Sequence, residues 1–258
     1  MPQAETITGR TEEWWPRIDQ RLAVLIPCFN EETAIARVVA GFRAELPEAT
    51  IYVYDNNSTD NTLEVARAAG AVVRRETHQG KGLVVRRMFA DVEADIYVLV
   101  DGDATYDACS VRAMIARQVD ERLDMVVAAR VEEEADAYRP GHRIGNRLFT
   151  GFFASVFSAS FTDILSGYRV FSRRFVKSFP SFSREFEIET ELTVHAMQMR
   201  MQVAEVETSY KERPPGGASK LRTFRDGWRI LMTITNLMRN ERPLMFFTLI
   251  GMALALVP

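Results

Sequence analysis

Cysteine is scarce: the 258 residues include only Cys28 and Cys109, each inside a separate apparent strand–helix unit. That argues against a disulfide framework or a cysteine-based zinc site and predicts a reducing, cytosolic setting. Histidine is nearly as rare, and His78, His142 and His195 form no recognisable triad pattern. A charge excess of one sign is also missing, since 32 Lys and Arg face 35 Asp and Glu for a formal net charge of −3. Nothing therefore draws the whole protein toward nucleic acid. The first twenty residues, interrupted by Glu12, Glu13 and Asp19, lack the basic start and apolar middle of a signal peptide. There is no internal repeat and no low-complexity tract.

Two phosphate-binding signatures are absent as well. Residues 27–35 contain no glycine, so the G-x-G-x-x-G turn of a dinucleotide fold is missing after the first apolar segment. Gly80-Lys81-Gly82 lacks the spaced upstream glycine and the following Ser or Thr of a P-loop. Its glycines still permit close backbone approach, and Lys81 is suited to a phosphate or a ribose; the bland alternative is a plain helix start.

What the chain does have is alternation. Apolar strand-like segments at Leu22–Ile26, Ile51–Tyr54, Ala71–Val73, the run ending at Asp101, and Met125–Ala129 are separated by helical patterns. The first of these helices places Ile35, Val38, Val39, Phe42 and Leu46 on one face; others span Thr62–Ala69, Gly82–Phe89 and Ser110–Gln118. This predicts an α/β fold with right-handed crossovers and a mostly parallel sheet covered on both sides. Ligands then belong at the carboxyl ends of the strands. Polar clusters fall there: Pro27-Cys28-Phe29-Asn30-Glu31, Asp55-Asn56-Asn57-Ser58, Gly80-Lys81-Gly82, Asp101-Gly102-Asp103 and Arg130. Asn30 and Asp60 also read as plain helix caps.

Ile96-Tyr97-Val98-Leu99-Val100 ends in two carboxylates, which a core does not tolerate unless a cation satisfies them. If the backbone stays extended, Asp101 and Asp103 point the same way across Gly102 and can share Mg2+ or Mn2+ holding a diphosphate. A rival reading makes Asp101 the nucleophile of a haloacid-dehalogenase-type phosphohydrolase, because D-x-D-x-T also ends such a strand. That motif normally ends the first strand, whereas three strands precede this one.

The ordered set of clusters resembles glycosyltransferase family 2 with its GT-A fold. Asp163-Ile164-Leu165-Ser166-Gly167-Tyr168-Arg169, Phe186-Glu187-Ile188-Glu189, and Arg213 through Ser219-Lys220-Leu221 resemble its polyprenyl-phosphate branch. The resemblance runs from about Arg21 to Arg242. It implies that Pro27, Asn30, Glu31, Asp55, Lys81, Asp101 and Gly102 line the site of a nucleotide-diphosphate sugar, with Asp55 addressing the base and Asp101 and Asp103 holding the metal. It implies that Arg130, Arg143, Arg213, Ser219 and Lys220 surround the acceptor phosphate or the diphosphate. Arg130, Arg143, Asp163 and Arg169 join Asp101 and Asp103 as candidate catalytic residues, while Glu187, Glu189 and Glu191 read as mostly structural or solvated. The implied reaction moves one sugar, with inversion, from a nucleotide donor to a polyprenyl (undecaprenyl or dolichyl) phosphate. Departures from the usual pattern at Asp55-Asn56-Asn57-Ser58 and Asp101-Gly102-Asp103-Ala104-Thr105 touch the donor side, and a UDP-sugar is favoured over GDP-mannose. Two alternatives are a non-catalytic sugar-nucleotide-binding protein and a polysaccharide-building family 2 enzyme. The second would need a late general base and a Q-x-x-R-W motif that the chain lacks.

The C-terminal part adds a membrane surface to the expected partners. Between Lys211 and Arg242 eight basic residues face three acids, after the loop-like stretch Arg213–Lys220. At about 100° per residue, Leu221, Phe224, Trp228, Leu231 and Met238 share an arc beside Arg222, Arg225 and Arg229, as in an interfacial helix. Leu244–Val257 is apolar apart from Thr248, yet short of the roughly twenty residues that span a bilayer. The expected organisation is an extension over 1–20, a catalytic domain over 21–220, an amphipathic interfacial helix over 221–242, and the start of a truncated transmembrane segment over 243–258. The alternative for the last part is a terminal helix buried on the domain. The catalytic domain is expected on the cytosolic leaflet, and a homo-oligomer is compatible with the sequence.

Overall fold

The computed structural model describes residues 20–132, 162–180, 188–211, five helical positions between 232 and 239, and 243–255. The elements are β1 (Leu22–Cys28), α1 (Ile35–Glu45), β2 (Thr50–Asp55), α2 (Thr62–Ala68), β3 (Val72–Arg75), α3 (Lys81–Asp91), β4 (Ile96–Leu99), α4 (Val111–Asp120), β5 (Met125–Glu132), β6 (Arg169–Ser172), α5 (Arg173–Ser178), α6 (Ile188–Gln198), β7 (Val203–Tyr210) and α7 (Pro243–Ala255). The strands form one seven-stranded sheet in the order β3-β2-β1-β4-β6-β5-β7.

The sheet is buried on both faces at its centre because β1 and β4 are apolar at every position, and both are buried throughout. Val24, Ile26 and Cys28 pack against Ile35, Val38 and Phe42 of α1 and Met114 and Ile115 of α4. Ala23 and Leu25 face the opposite way, toward Val84, Val85 and Met88 of α3, Phe175 of α5 and Leu192 of α6. The period-two alternation of one strand thus serves two cores.

β1 pairs in parallel with β2 and β4, and β5 in parallel with β7. β6 runs against both neighbours, with Leu99 opposite Arg169 and Val127 also opposite Arg169. The start of β6 therefore lies where β4 ends, and the segment leading into it meets the carboxyl rim.

Two expectations are corrected here. The fourth strand ends at Leu99, not Asp101: Val100 donates a last bond to the Leu25 carbonyl (3.1 Å), and the chain then turns through Ala104 at φ 59°. Asp101 and Asp103 consequently sit in a turn, and strand alternation does not set their directions. Asn30 does not cap a helix beginning at Glu31, since α1 begins at Ile35. Its Oδ1 instead accepts from Thr59 N (2.8 Å), joining the loops after β1 and β2.

Residues 1–19 of the extension expected over 1–20 lie outside the described residues, as do Arg143, Arg213, Ser219, Lys220 and 221–231. Met238 is helical and buried, and Arg239 is helical and exposed. In α7, Leu244, Phe247 and Met252 are exposed, so these side chains are not packed on the domain. Among the described residues no helix is long and apolar enough to cross a membrane.

Candidate functional site

The carboxyl rim is assembled by polar side chains that tie one loop to the next. Asn30 N donates to Ser58 Oγ (2.9 Å), Glu31 N to Thr62 Oγ1 (2.8 Å), and Asn61 N to Glu32 Oε2 (2.9 Å). Asp60 accepts from Thr62 N (3.0 Å), but the N-cap of α2 is Asn61, so Asp60 supports the entry to the helix from one residue before the cap position expected for it. Asn56 shapes the following loop. Its Nδ2 donates to the carbonyls of Glu76 (3.0 Å) and His78 (2.8 Å), and its Oδ1 accepts from Gly80 N (2.7 Å). Those bonds fix Gly80, at φ 140°, and through it the place of Lys81 at the start of α3.

The nucleotide-side candidates lie together on this rim. Pro27, Glu31 and Gly102 are buried, and Asp55 is fully buried at the end of β2, opposite Cys28. The Asp55 carboxylate accepts from Ser58 N (3.2 Å) and pairs with Arg75 Nε (3.3 Å). A Cβ at Gly102 would meet Cys28 Sγ at 2.5 Å, so glycine is what lets this turn close onto β1.

Lys81 joins this region to a residue far along the chain. Its Nζ lies 2.5 Å from Asp101 Oδ1 and 2.5 Å from Glu189 Oε1. Burial would lower the lysine pKa, but the two carboxylates outweigh it and raise the pKa, so the ammonium is held charged. Burial raises the Glu189 pKa, with Lys81 pulling it back. Glu189 is therefore not a solvated helix residue; the sequence signal that could have found it is its place in the Phe186–Glu189 motif.

Asp103 is buried and accepts from Thr105 N (3.1 Å) and Thr105 Oγ1 (2.6 Å). Asp101 is the more open carboxylate, its side chain 27% exposed. Among the described residues no group of three or more His, Cys, Asp or Glu is placed to hold a metal ion. Two hard carboxylates suit Mg2+ or Mn2+, which complete their shells with phosphate oxygens and water and need no protein cage. The donor set fits such an ion.

The other half of the site surrounds Arg130 and Asp163. Arg130 Nε and Nη2 reach Asp163 Oδ2 (2.5 Å) and Oδ1 (2.7 Å) as a bidentate pair, and the guanidinium lies 5.4 Å from the Tyr210 ring centre. Tyr106 bridges the halves. Its Oη accepts from Gly167 N (3.0 Å), and its ring packs edge-on against Tyr168 and Tyr210. Burial pushes the Tyr106 hydroxyl well above its ordinary range, so it stays protonated.

Arg169 lies away from this surface. It is completely buried, donating to the carbonyls of Ser166 (2.9 Å) and Ile164 (2.8 Å) and to Thr193 Oγ1 (2.9 Å). Burial lowers its pKa to about 10, which leaves it charged at neutral pH. The expectation of a catalytic Arg169 is corrected accordingly: it holds the Asp163–Tyr168 segment from behind and positions rather than reacts. The structure thus brings together Pro27, Asn30, Glu31, Asp55, Lys81, Asp101, Gly102, Asp103, Arg130 and Asp163 along one rim.

Comparison with known proteins agrees with this arrangement. The chain is 34% identical over 238 residues to the glycosyltransferase AglJ of Haloferax volcanii, covering 90% of this chain and 77% of that protein. It is 27% identical over 221 residues to a dolichyl-phosphate hexose transferase of the same organism, covering 86% of this chain and 95% of that one. In fold it matches the crystal structure of glucosyl-3-phosphoglycerate synthase from Mycobacterium tuberculosis with Mn2+, UDP-glucose and phosphoglyceric acid. There the TM-score is 0.71 at 21% identity, over 85% of this chain and 80% of the other, which establishes the GT-A fold alone. The family model described as glycosyl transferase family 2 matches residues 23–179, and with the 34%-identical relative it shows that this chain belongs to glycosyltransferase family 2.

Proposed function

We propose that the protein is a metal-dependent, inverting hexosyltransferase. It moves one sugar from a nucleoside diphosphate sugar, a UDP-sugar in preference to GDP-mannose, onto a polyprenyl phosphate at the cytosolic face of a membrane. The observation that carries this reading is the adjacency of two charged clusters, Lys81-Asp101-Asp103 and Arg130-Asp163, joined through Tyr106 and Gly167. A transfer between two anionic substrates needs two such regions side by side. The relative named a dolichyl-phosphate hexose transferase supports the lipid phosphate, and the UDP-glucose complex of the fold neighbour supports the uridine donor and Mn2+. Family membership sets aside the phosphohydrolase alternative.

The chemistry follows from what each group supplies. A divalent ion held by Asp101 and Asp103 would neutralise charge developing on the leaving diphosphate. Lys81 adds a positive charge on the same side. An acceptor phosphate oxygen is already anionic at neutral pH, so no general base is required. The new bond forms between that oxygen and the anomeric carbon as the bond to the diphosphate breaks, the electron pair leaving with the diphosphate and the configuration inverting. Arg130, held flat by Asp163, presents a forked donor of the kind that suits phosphate. The exposed apolar side chains of α7 and the basic surplus between Lys211 and Arg242 support membrane attachment.

The test is incubation with UDP-glucose, UDP-N-acetylglucosamine or GDP-mannose, Mg2+ or Mn2+, and a short polyprenyl phosphate. A new glycolipid, lost in Asp103→Asn, is expected. No glycolipid from any donor, with sugar transfer to a soluble phosphate acid instead, would overturn the lipid acceptor.

A further inference from the structure

We propose that Lys81 is a built-in counter-ion for Asp101, and that Glu189 is the second seat to which Lys81 moves when a divalent cation arrives beside Asp101 and Asp103. This rests on the reading above that those two carboxylates hold such an ion. Glu189 is then a positioning residue that acts through Lys81.

Lys81 stands where a lysine is otherwise disfavoured. It is the first residue of α3, where the helix dipole repels a cation, and its side chain is only 12% exposed. What holds it there is a pair of carboxylates at equal distance, 2.5 Å each. One ammonium between two carboxylates leaves the trio with one negative charge in excess. The same trio can therefore take in positive charge without ejecting the lysine.

The two carboxylates differ in reach from solvent. Asp101 is 27% exposed and Glu189 only 8%, so an ion from solution meets Asp101. Both carboxylates sit on shorter stems than the lysine's. Asp101 is wedged over Gly167, where a Cβ would lie 2.4 Å from its Oδ2. Glu189 is the second residue of α6, anchored on either side by buried Ile188 and Leu192. The mobile partner is the lysine, with a flexible four-carbon stem. A dication at Asp101 repels the ammonium, and Glu189, itself favoured at a helix N-terminus, is the anion already within contact.

The experiment measures Mn2+ binding without nucleotide, from the electron paramagnetic resonance signal of free aquo-Mn2+. Lys81→Met removes the competing cation and tightens binding about tenfold; Glu189→Gln removes the second seat and weakens it about tenfold. In the Lys81→Met background the Glu189→Gln effect shrinks below about threefold, which separates action through Lys81 from a general field. Should Lys81→Met fail to fold in circular dichroism melts, Glu189→Asp carries the test. It keeps the charge but shortens the reach, and it weakens Mn2+ binding as Gln does if Lys81 is the link; wild-type affinity overturns the proposal. Wild-type protein that binds no Mn2+ either alone or with UDP, or Asp103→Asn that binds it equally well, overturns the metal reading and this inference together. Binding that is lost in Asp103→Asn but unmoved by Lys81→Met, or a Glu189→Gln effect of equal size in both backgrounds, overturns this inference alone.

Discussion

The Asp101 carboxylate rests directly on the Cα of Gly167: a Cβ there would lie 2.4 Å from Oδ2 and 2.9 Å from Cγ. Asp101 follows β4 and Gly167 precedes β6 at the same end of that antiparallel pair, so this contact sets how the turn after β4 meets the segment leading into β6. Gly167→Ala must push Asp101 aside. A displacement on the order of 1 Å at a reacting centre costs about 100-fold in rate. The expected outcome is a loss of that size in kcat/KM for glycolipid formation with nearly unchanged melting temperature.

Gly102 makes a second close approach, 2.5 Å from Cys28 Sγ and 3.4 Å from Ile26 Cγ2 for an added Cβ. Gly102→Ala overpacks a buried junction and is expected to cost about 1–3 kcal/mol in urea unfolding. Combining it with Cys28→Ala removes the sulfur, and the double variant should recover most of that loss.

Arg130 and Asp163 are both largely enclosed, at 12% and 5% side-chain exposure. Removing either partner breaks a buried bidentate ion pair, so Arg130→Ala or Asp163→Ala should each lose about 3–5 kcal/mol of stability. The double variant should lose less than the sum, measured by urea unfolding as a double-mutant cycle. Arg130→Lys keeps the charge and loses the fork, and should raise KM for the lipid phosphate more than KM for the nucleotide sugar.

His195 is buried against Phe175 and Phe179 and lies 3.0 Å from Ser178 Oγ. Burial lowers its pKa, with Glu191 partly opposing. The unfolded chain takes up a proton near the ordinary value of about 6.5 while the folded ring resists it. Stability is therefore full above that pH, falls as the solution acidifies toward the folded pKa, and levels below it. Melting temperatures from pH 8 to pH 5 should show this decline, and His195→Gln should flatten it.

The first five strands and four helices were legible in sequence because each apolar segment is short, separated by a helical pattern, and closed by polar residues. What followed was not. β6 is four residues long and starts with a buried arginine, Arg169, whose charge hides a core position. β7 alternates weakly because it lies at the edge of the sheet, half-covered along most of its length. Among site residues, Asp101, Asp103 and Lys81 were marked by motif and by position after a strand. Glu189 was not assigned to the site, because it meets Lys81 across 108 residues of chain and no local spacing encodes that meeting. The turn at Asp101 also differed from the extended backbone expected, since Thr105 N bonding to Asp103 curls the chain back.

The reversed direction of β6 decides which parts of the chain share the rim. Every strand that parallels β1 delivers its outgoing loop to the rim, whereas β6 delivers its incoming one, residues 162–168. Two stretches that are distant in the chain, one ahead of a short reversed strand and the other behind the parallel ones, meet there through Asp101, Tyr106 and Gly167. Under the proposed function, the incoming stretch and the outgoing loops serve different substrates at one rim, so substitutions in each should move different KM values. Gly167 marks the boundary between the two.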